Sequence, residues 1–198
     1  MSGRGGTVLG ALFVALALLL AIGIAGCGGD DDDDEADTGT STGGATTAAE
    51  LAPGSSVSSF AVAESGRVPG STQNQDTFYG IYVPKSPGAV QTMRVEINVQ
   101  PNVEQATAQY GPLSEALRNP PPDLFGAGAT QIDGTPAYQA DQSKSYRTEK
   151  PDGQGYYVFS DIHRMGRAVV IIYAIGPDTK ETADARKKVA EDIAAKAK

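Results

Sequence analysis

The chain has 198 residues, and its 24 acidic and 16 basic residues give a net charge of −8. The single Cys excludes an intramolecular disulfide and any zinc site built from several cysteines, and the single His excludes metal motifs built on paired histidines. Because binding to phosphate backbones needs clustered Lys and Arg, the acidic excess argues against nucleic acid as a partner.

The N-terminus has the pattern of an export signal. Arg4 is the only charged side chain before Asp30, and an apolar run rich in Leu, Ala and Val extends from Thr7 to Ile24. A basic start followed by such a run is typical of a secretory signal, although about 18 apolar residues also suffice for an uncleaved membrane anchor. Both alternatives predict that the rest of the chain lies outside the cytoplasm, because basic flanks stay inside.

The end of this run carries a specific motif, Ile24, Ala25, Gly26 and Cys27. A branched aliphatic residue, two small residues and a Cys in this order resemble the lipobox of bacterial lipoproteins. The resemblance implies that residues 1–26 are a signal peptide, cleaved between Gly26 and Cys27, and that the Cys27 thiol carries the lipid. Two acyl chains anchor a protein stably. The expected location is the outer face of the bacterial cytoplasmic membrane, with the membrane as partner through acyl chains such as palmitate on Cys27.

Residues 27–56 have the composition of a disordered linker. Seven acidic residues lie between Asp30 and Asp37, Thr, Ser, Gly and Ala follow, and Leu51 is the exception among small and polar residues. Such a segment cannot bury enough apolar surface to offset chain entropy. The contiguous acids lack the alternation and the turn Gly of an EF-hand calcium loop, which favours a solvated spacer. Residues 51–198 carry a net charge of only −1, so the acidic excess belongs to the N-terminal part.

Residues 57–198 predict a globular domain. Alternating apolar residues predict three strands. A stripe of apolar side chains then predicts a helix from Asn102 to Leu117, with Asn102 and Gln105 as its capping box. Gly111 and Pro112 predict a kink or restart within this helix. The turn signal at Asp133 and Gly134 then predicts a short hairpin, followed by an exposed polar loop. The predicted strands are 57–63, 77–83, 93–99, 130–132 and 136–140, and the predicted loop is 141–155.

The strongest strand signal lies near the C-terminus. Residues 156–162 and 167–175 flank a turn around Gly166, and the second arm is apolar on both faces, which predicts a central strand covered on both sides. Asp178 and Glu181 then predict the capping box of a last helix. The order β-β-β-α-β-β-β-β-α predicts one α+β domain, a single antiparallel sheet flanked by two main amphipathic helices.

The order and punctuation of these elements resemble a known fold. Residues 79–84 read aromatic-Gly-aliphatic-aromatic-Val-Pro, and a strand and helix, an Asp-Gly turn before Pro136, a long apolar hairpin and a terminal helix follow. Over about residues 57–198 the chain is similar to the PsbP/Mog1-type α/β/α sandwich. That family often carries a Trp soon after the Pro, where this chain has residues 85–87, Lys-Ser-Pro. The resemblance implies non-catalytic adaptor or partner-binding work and carries over no site residues.

One group of residues suggests chemistry. Asp161 and His163 are two apart on a predicted strand and therefore share a face, so the carboxylate could orient the imidazole as a general base for Ser143 or Ser145. The alternative interpretation places both near a hairpin turn, where polar side chains face water.

The remaining candidates are weaker. Arg164 and Arg167, with Lys144 and Arg147 nearby, could form an anion-binding patch, although solvated turn residues are the favoured interpretation. The Gly-Ala-Gly run at 126–128 lacks the context of a phosphate loop. Four tyrosines could line a peptide- or sugar-binding face, although at least half of them should be core residues: Tyr79, Tyr82, Tyr156 and Tyr157.

Two functions follow from the sequence. The favoured hypothesis is an extracytoplasmic, lipid-anchored and non-catalytic binding or adaptor module for a protein, peptide or envelope component. It is expected to be a monomer and to need no cofactor. The alternative is a cell-surface hydrolase that uses Asp161 and His163.

Overall fold

The computed structural model describes residues 47–57, 59–69, 71, 75–88, 90–118 and 131–197. Its sheet has eight strands, and the helices are α1 (Ala48–Leu51), α2 (Val103–Arg118) and α3 (Lys180–Lys196). The strands are β1 (Ser56–Val57), β2 (Phe60–Gly66), β3 (Asp76–Pro84), β4 (Thr92–Val99), β5 (Gln131–Asp133), β6 (Gln142–Thr148), β7 (Tyr157–Met165) and β8 (Ala168–Gly176).

All neighbouring strands are antiparallel, in the order β1-β2-β3-β4-β8-β7-β6-β5. The apolar strand β8 lies between β4 and β7, and each of its residues is buried. This confirms the predicted central strand, and the predicted α+β class with a single antiparallel sheet is also confirmed.

Helices pack on both faces of the sheet. Val189 and Ile193 of α3 and Leu51 of α1 belong to one core cluster with the side chains of β4 and β8 that face them, such as Val95 and Ile172. The other face is covered by α2, whose apolar stripe forms a second cluster with β7 and β8. That stripe comprises Ala106, Tyr110, Leu113 and Leu117. The described part of the chain therefore has three helices, where the sequence predicted two main ones.

The additional helix α1 lies inside the segment that the sequence analysis placed in the disordered linker. Thr47 caps it by accepting a hydrogen bond from the Glu50 backbone N–H, and Ala48 and Leu51 are buried in the core. The Ala48 N–H donates to the Asp76 carboxylate at 2.8 Å. Residues 47–56 are therefore part of the folded domain, and the structure moves its boundary back from Val57 to at least Thr47.

The structure also corrects the prediction for residues 136–155. The predicted loop contains strand β6, which pairs with both β5 and β7, whereas residues 136–140 form no strand. The physical reason is that the polar side chains of β6 meet polar partners on β7. Ser143 lies opposite His163 and Ser145 opposite Asp161, a compensation that hydrophobic periodicity does not reveal.

Two details of the helices differ from expectation. α2 continues through Gly111 and Pro112 as one helix of 16 residues, and Asn102 caps it by accepting from the Gln105 N–H at 2.8 Å. The N-cap of α3 lies one residue later than predicted, because the side chain of Thr179 rather than Asp178 accepts the hydrogen bond from the Thr182 N–H. Among the described residues, no helix is both long enough and apolar enough to cross a membrane.

Candidate binding cleft

Asp161 and His163 are both fully buried, which corrects the expectation that they face water. They lie on the face of β7 that also carries Phe159 and Met165, and these two neighbours belong to the core cluster beneath α3 and α1. Their shared face was therefore predicted correctly, but the helices cover it.

The partner of Asp161 is an arginine. Nη1 of Arg186, in α3, lies 2.9 Å from each carboxylate oxygen, and the side chains of the two residues are 6% and 0% exposed. The guanidinium also lies over the Phe159 ring, 4.4 Å from its centroid. Burial raises the pKa of Asp161, while Arg186 and the Ser145 side chain oppose that shift. The carboxylate is thus held by α3 and does not orient the imidazole.

His163 pairs with Ser143 instead. Its Nδ1 lies 2.9 Å from the Ser143 hydroxyl oxygen, which also accepts the Ala140 backbone N–H at 2.9 Å. Nε2 of His163 is buried without a hydrogen-bond partner, and the Tyr138 ring packs edge-on against the imidazole. This arrangement ties residues 138–143 to β7.

The environment of His163 makes it a poor base. Burial and the nearby positive charge of Arg186 lower its pKa to about 4, so the imidazole is neutral and binds protons weakly near neutral pH. Ser143 and His163 are therefore in contact, but no carboxylate in the described part of the chain accepts a hydrogen bond from the imidazole, and the imidazole is not accessible to solvent. The described residues assemble no Ser-His-Asp triad.

The arginines of the hairpin are engaged with neighbouring residues. Arg164 donates to Gln142 at 2.8 Å and to the Asp141 carboxylate at 3.1 Å, and Asp141 also accepts the Gly166 N–H. These bonds fasten the β7–β8 turn. Arg167 lies in the same turn, where its carbonyl accepts from the Gln100 N–H. Arg164 therefore has a structural role in this turn, and the anion-binding patch of Arg164 and Arg167 stays a prediction.

The other side chains singled out in the sequence are dispersed. Tyr82 is a core residue that donates to the Pro53 carbonyl, whereas Tyr79 and Tyr157 are only partly buried. Arg147 stacks on Tyr157 at 4.7 Å and lies 3.7 Å from Asp178. Lys144 is exposed and Tyr156 half-buried. Residues 24–27 and 126–128 lie outside the described residues.

A cavity of about 600 Å³ opens between α3 and the strands β5, β6 and β7. It is a cleft between the first half of α3 and residues 133–137, which are the last residue of β5 and the segment after it, and Phe159 and Ser145 also line it. Arg186 lines it while bonded to Asp161, so one buried ion pair joins the helix wall to the sheet. We call this space the α3 cleft.

The α3 cleft is polar and nearly balanced in charge. Three carboxylates and three cationic groups line it, and most of them are at least half exposed at its rim. The lining charged residues are Asp133, Asp178, Asp184, Arg147, Arg186 and Lys187. In the described segments, no group of three or more acidic, His or Cys side chains is placed to hold a metal ion.

The sequence did not single out the α3 cleft. The contact of Arg186 with Asp161, 25 residues earlier, depends on how α3 packs on the sheet. One usable signal existed, since Arg186 stands three residues before Val189 on the apolar stripe of the helix. An arginine on that stripe indicates a buried acidic partner.

A second buried ion pair lies on the opposite face. Arg94 Nε is 2.6 Å from Glu96, and both side chains are almost inaccessible. Burial raises the pKa of Glu96 to about 7, although Arg94 opposes the shift. This pair faces α2 and takes no part in the α3 cleft.

Comparisons with known proteins give little beyond these observations. No protein-family model matches the chain, and no curated protein matches it. Among solved structures, the extracellular domain of PknH from Mycobacterium tuberculosis is similar over 61% of this chain and 63% of that one. The two are 11% identical, with a TM-score of 0.42. The match thus spans less than two thirds of that domain, and a similarity of this degree assigns no function.

Proposed function

We propose that the protein is an extracytoplasmic, lipid-anchored binding module that holds a ligand in the α3 cleft and performs no chemistry on it. The observation that carries the proposal is the Asp161–Arg186 ion pair at the edge of a 600 Å³ cleft. It fixes the helix wall against the sheet, and a cleft whose walls are held together before a ligand arrives is suited to binding.

The hydrolase alternative has less support. Ser143 lies beside a cavity of about 260 Å³ and contacts His163, but the imidazole lines neither that cavity nor the α3 cleft. Asp161 is bonded to Arg186 and the pKa of His163 is about 4, so the imidazole beside Ser143 has no carboxylate partner among the described residues and lacks the basicity of a general base. We therefore assign the Ser143–His163 contact a structural role.

The membrane attachment rests on the lipobox at Ile24, Ala25, Gly26 and Cys27. In this proposal residues 1–26 are removed, Cys27 carries the acyl chains, and the domain stands outside the cytoplasm as a monomer. Helices on the two faces of one antiparallel sheet are consistent with a PsbP/Mog1-like sandwich, which we propose as its fold family.

The anchor is tested with Cys27→Ser in the full chain. We expect the wild-type protein to sediment with membranes and to incorporate a labelled fatty acid, and the variant to lose the label. Release of unlabelled wild-type protein from the membrane would contradict the lipid anchor, while leaving the cleft proposal standing.

The α3 cleft is tested with a photoreactive amino acid in place of Lys187, which lines it, or Lys188, the next residue of the same helix, which does not. Because both positions are exposed, they sample solvent equally well. We expect a discrete crosslinked product in cells from position 187 only. Equal crosslinking at both positions, or none at 187, would contradict binding in the cleft.

A further inference from the structure

The chain enters the folded domain at one particular end of the sheet. Asp76, whose carboxylate accepts the Ala48 N–H, starts β3 and pairs with Val99 at the end of β4. Val99 in turn lies opposite Ala168, which follows the β7–β8 turn. Thr47 therefore lies at the end of the sheet that carries this turn.

The entry point is fastened there by further contacts. Lys196, in the last turn of α3, donates to the Ala52 carbonyl, and the Tyr82 hydroxyl donates to the Pro53 carbonyl at 3.0 Å. With Ala48 and Leu51 in the core, these bonds prevent residues 47–53 from acting as part of the linker. The described part of the chain therefore begins at this end of the sheet.

The α3 cleft lies at the opposite end. Arg147 and Phe159, which are cross-strand neighbours, line it beside Asp178, which follows β8. Phe159 is six residues from Met165 along β7, a distance of about 20 Å at the rise of a strand. Along α3, Asp184 lies about 18 Å from Lys196 at the rise of a helix. The cleft is also displaced sideways, because β6 and β7 lie across β8 and β4 from β3.

We infer that the α3 cleft opens away from the membrane that holds Cys27, so that it takes a polar ligand from the aqueous side rather than a lipid of the anchoring bilayer. The inference rests on the proposed anchor and cleft, and it adds the direction from which the ligand arrives. In this arrangement the linker sets how far the cleft stands from the membrane, and even a short linker leaves the cleft accessible from the aqueous side.

The lining of the cleft agrees with this direction. An acyl chain laid over three carboxylates and three cations would take charged groups out of water and offer them no hydrogen bonds in return, which is unfavourable. A hydrogen-bonding ligand with little net charge would instead satisfy them. The ligand class is therefore polar and nearly neutral.

The experiment removes residues 28–46 from the mature chain, 27–198, so that Cys27 directly precedes Thr47. A maleimide phospholipid is coupled to Cys27, the single thiol, and the protein is placed on phosphatidylcholine vesicles. An azido amino acid replaces Lys187 in the cleft, or Glu104, an exposed residue at the start of α2 and at the entry end. The rate at which the azide reacts with a cyclooctyne on a large polyethylene glycol then measures how accessible each position is. The same proteins without lipid, free in solution, are the reference.

We expect position 187 to react at the same rate on vesicles and in solution, and position 104 to react severalfold more slowly on vesicles. Slowing at position 187, or no slowing at position 104, would overturn the inference. Because the lipid is attached chemically, the outcome does not depend on whether cells acylate Cys27. Failure of the sidedness is thus distinguished from failure of the proposed anchor.

Discussion

Arg186 holds both carboxylate oxygens of Asp161 with a single guanidinium nitrogen, 2.9 Å from each, and so ties α3 to β7 beneath the α3 cleft. The pair explains why the sheet tolerates a fully buried carboxylate, and it removes that carboxylate from the neighbouring imidazole. The shape of the cleft and the absence of an assembled triad among the described residues thus have one common cause.

Breaking this pair from one side should be costly. Arg186→Met leaves a buried carboxylate without its cation, and we expect a loss of about 3–5 kcal/mol in the free energy of unfolding, measured by urea denaturation. Lys187→Met, one residue further on and exposed, is the matched control and should change stability by about 0.5 kcal/mol or less. The double variant Asp161→Leu/Arg186→Met should recover most of the loss. A single variant as stable as wild type would contradict the role given to the pair.

The buried imidazole should make the domain sensitive to acid. The pKa of His163 is about 4 in the folded state against 6.5 when exposed, so the unfolded chain binds the proton more readily between these values. The contribution of the neutral, buried His163 to the free energy of unfolding is therefore complete above pH 6.5 and decreases as the pH falls towards 4. A shift of this size corresponds to about 3 kcal/mol.

The quantity to measure is the difference in the free energy of unfolding between wild type and His163→Asn at each pH. The difference is needed because buried carboxyl groups change the stability in the opposite direction as the pH falls. Glu96, with its pKa raised to about 7, favours the folded state more as it is protonated. We expect the stability of wild type relative to His163→Asn to decline from pH 6.5 to pH 4 in urea unfolding. A constant difference would show that His163 titrates normally.

Helix α1 should contribute to stability although it is short and lies in a low-complexity stretch. Leu51 is 2% exposed, so Leu51→Ala should cost about 2–5 kcal/mol through lost burial and the cavity left behind. Val103→Ala is the control, since Val103 is 51% exposed at the surface. Thermal unfolding of both variants distinguishes a docked segment from a linker, and equal melting temperatures would contradict the docking.

Two glycines should respond in opposite directions to the addition of a methyl group. A Cβ at Gly111, inside α2, would meet nothing within 4 Å, so Gly111→Ala should stabilise the helix by about 0.5–1 kcal/mol. A Cβ at Gly80, inside β3, would lie 2.8 Å from the Tyr82 ring and 3.1 Å from Phe78, so Gly80→Ala should destabilise. Urea unfolding of both variants provides the check, and a stabilised Gly80→Ala would show that the rings move freely.

Much of the fold could be predicted because it depends on local pattern. β8 is apolar on both faces and β4 alternates, and both strands lie within a residue of their predicted bounds. β6 could not be predicted in this way. Its Ser143 and Ser145 are compatible with a strand only because His163 and Asp161 lie opposite them.

The candidate site was less predictable than the fold. Asp161 and His163 were identified by their spacing, but their roles depend on Arg186 and Ser143, which reach them from other elements. Long-range contacts between polar side chains leave no period in the sequence. α1 was missed for a related reason, since a helix of four residues becomes stable only when Leu51 has a core to enter.

The central claim is that the α3 cleft is the binding surface of this protein. Its most direct test is amide hydrogen exchange of the mature chain, 27–198, with and without the soluble fraction of its own cell envelope. The account predicts slower exchange in peptides that cover residues 133–137 and the first half of α3, with no change along β2 at the far edge of the sheet. Unchanged exchange around the cleft, or protection confined to β2, would contradict it.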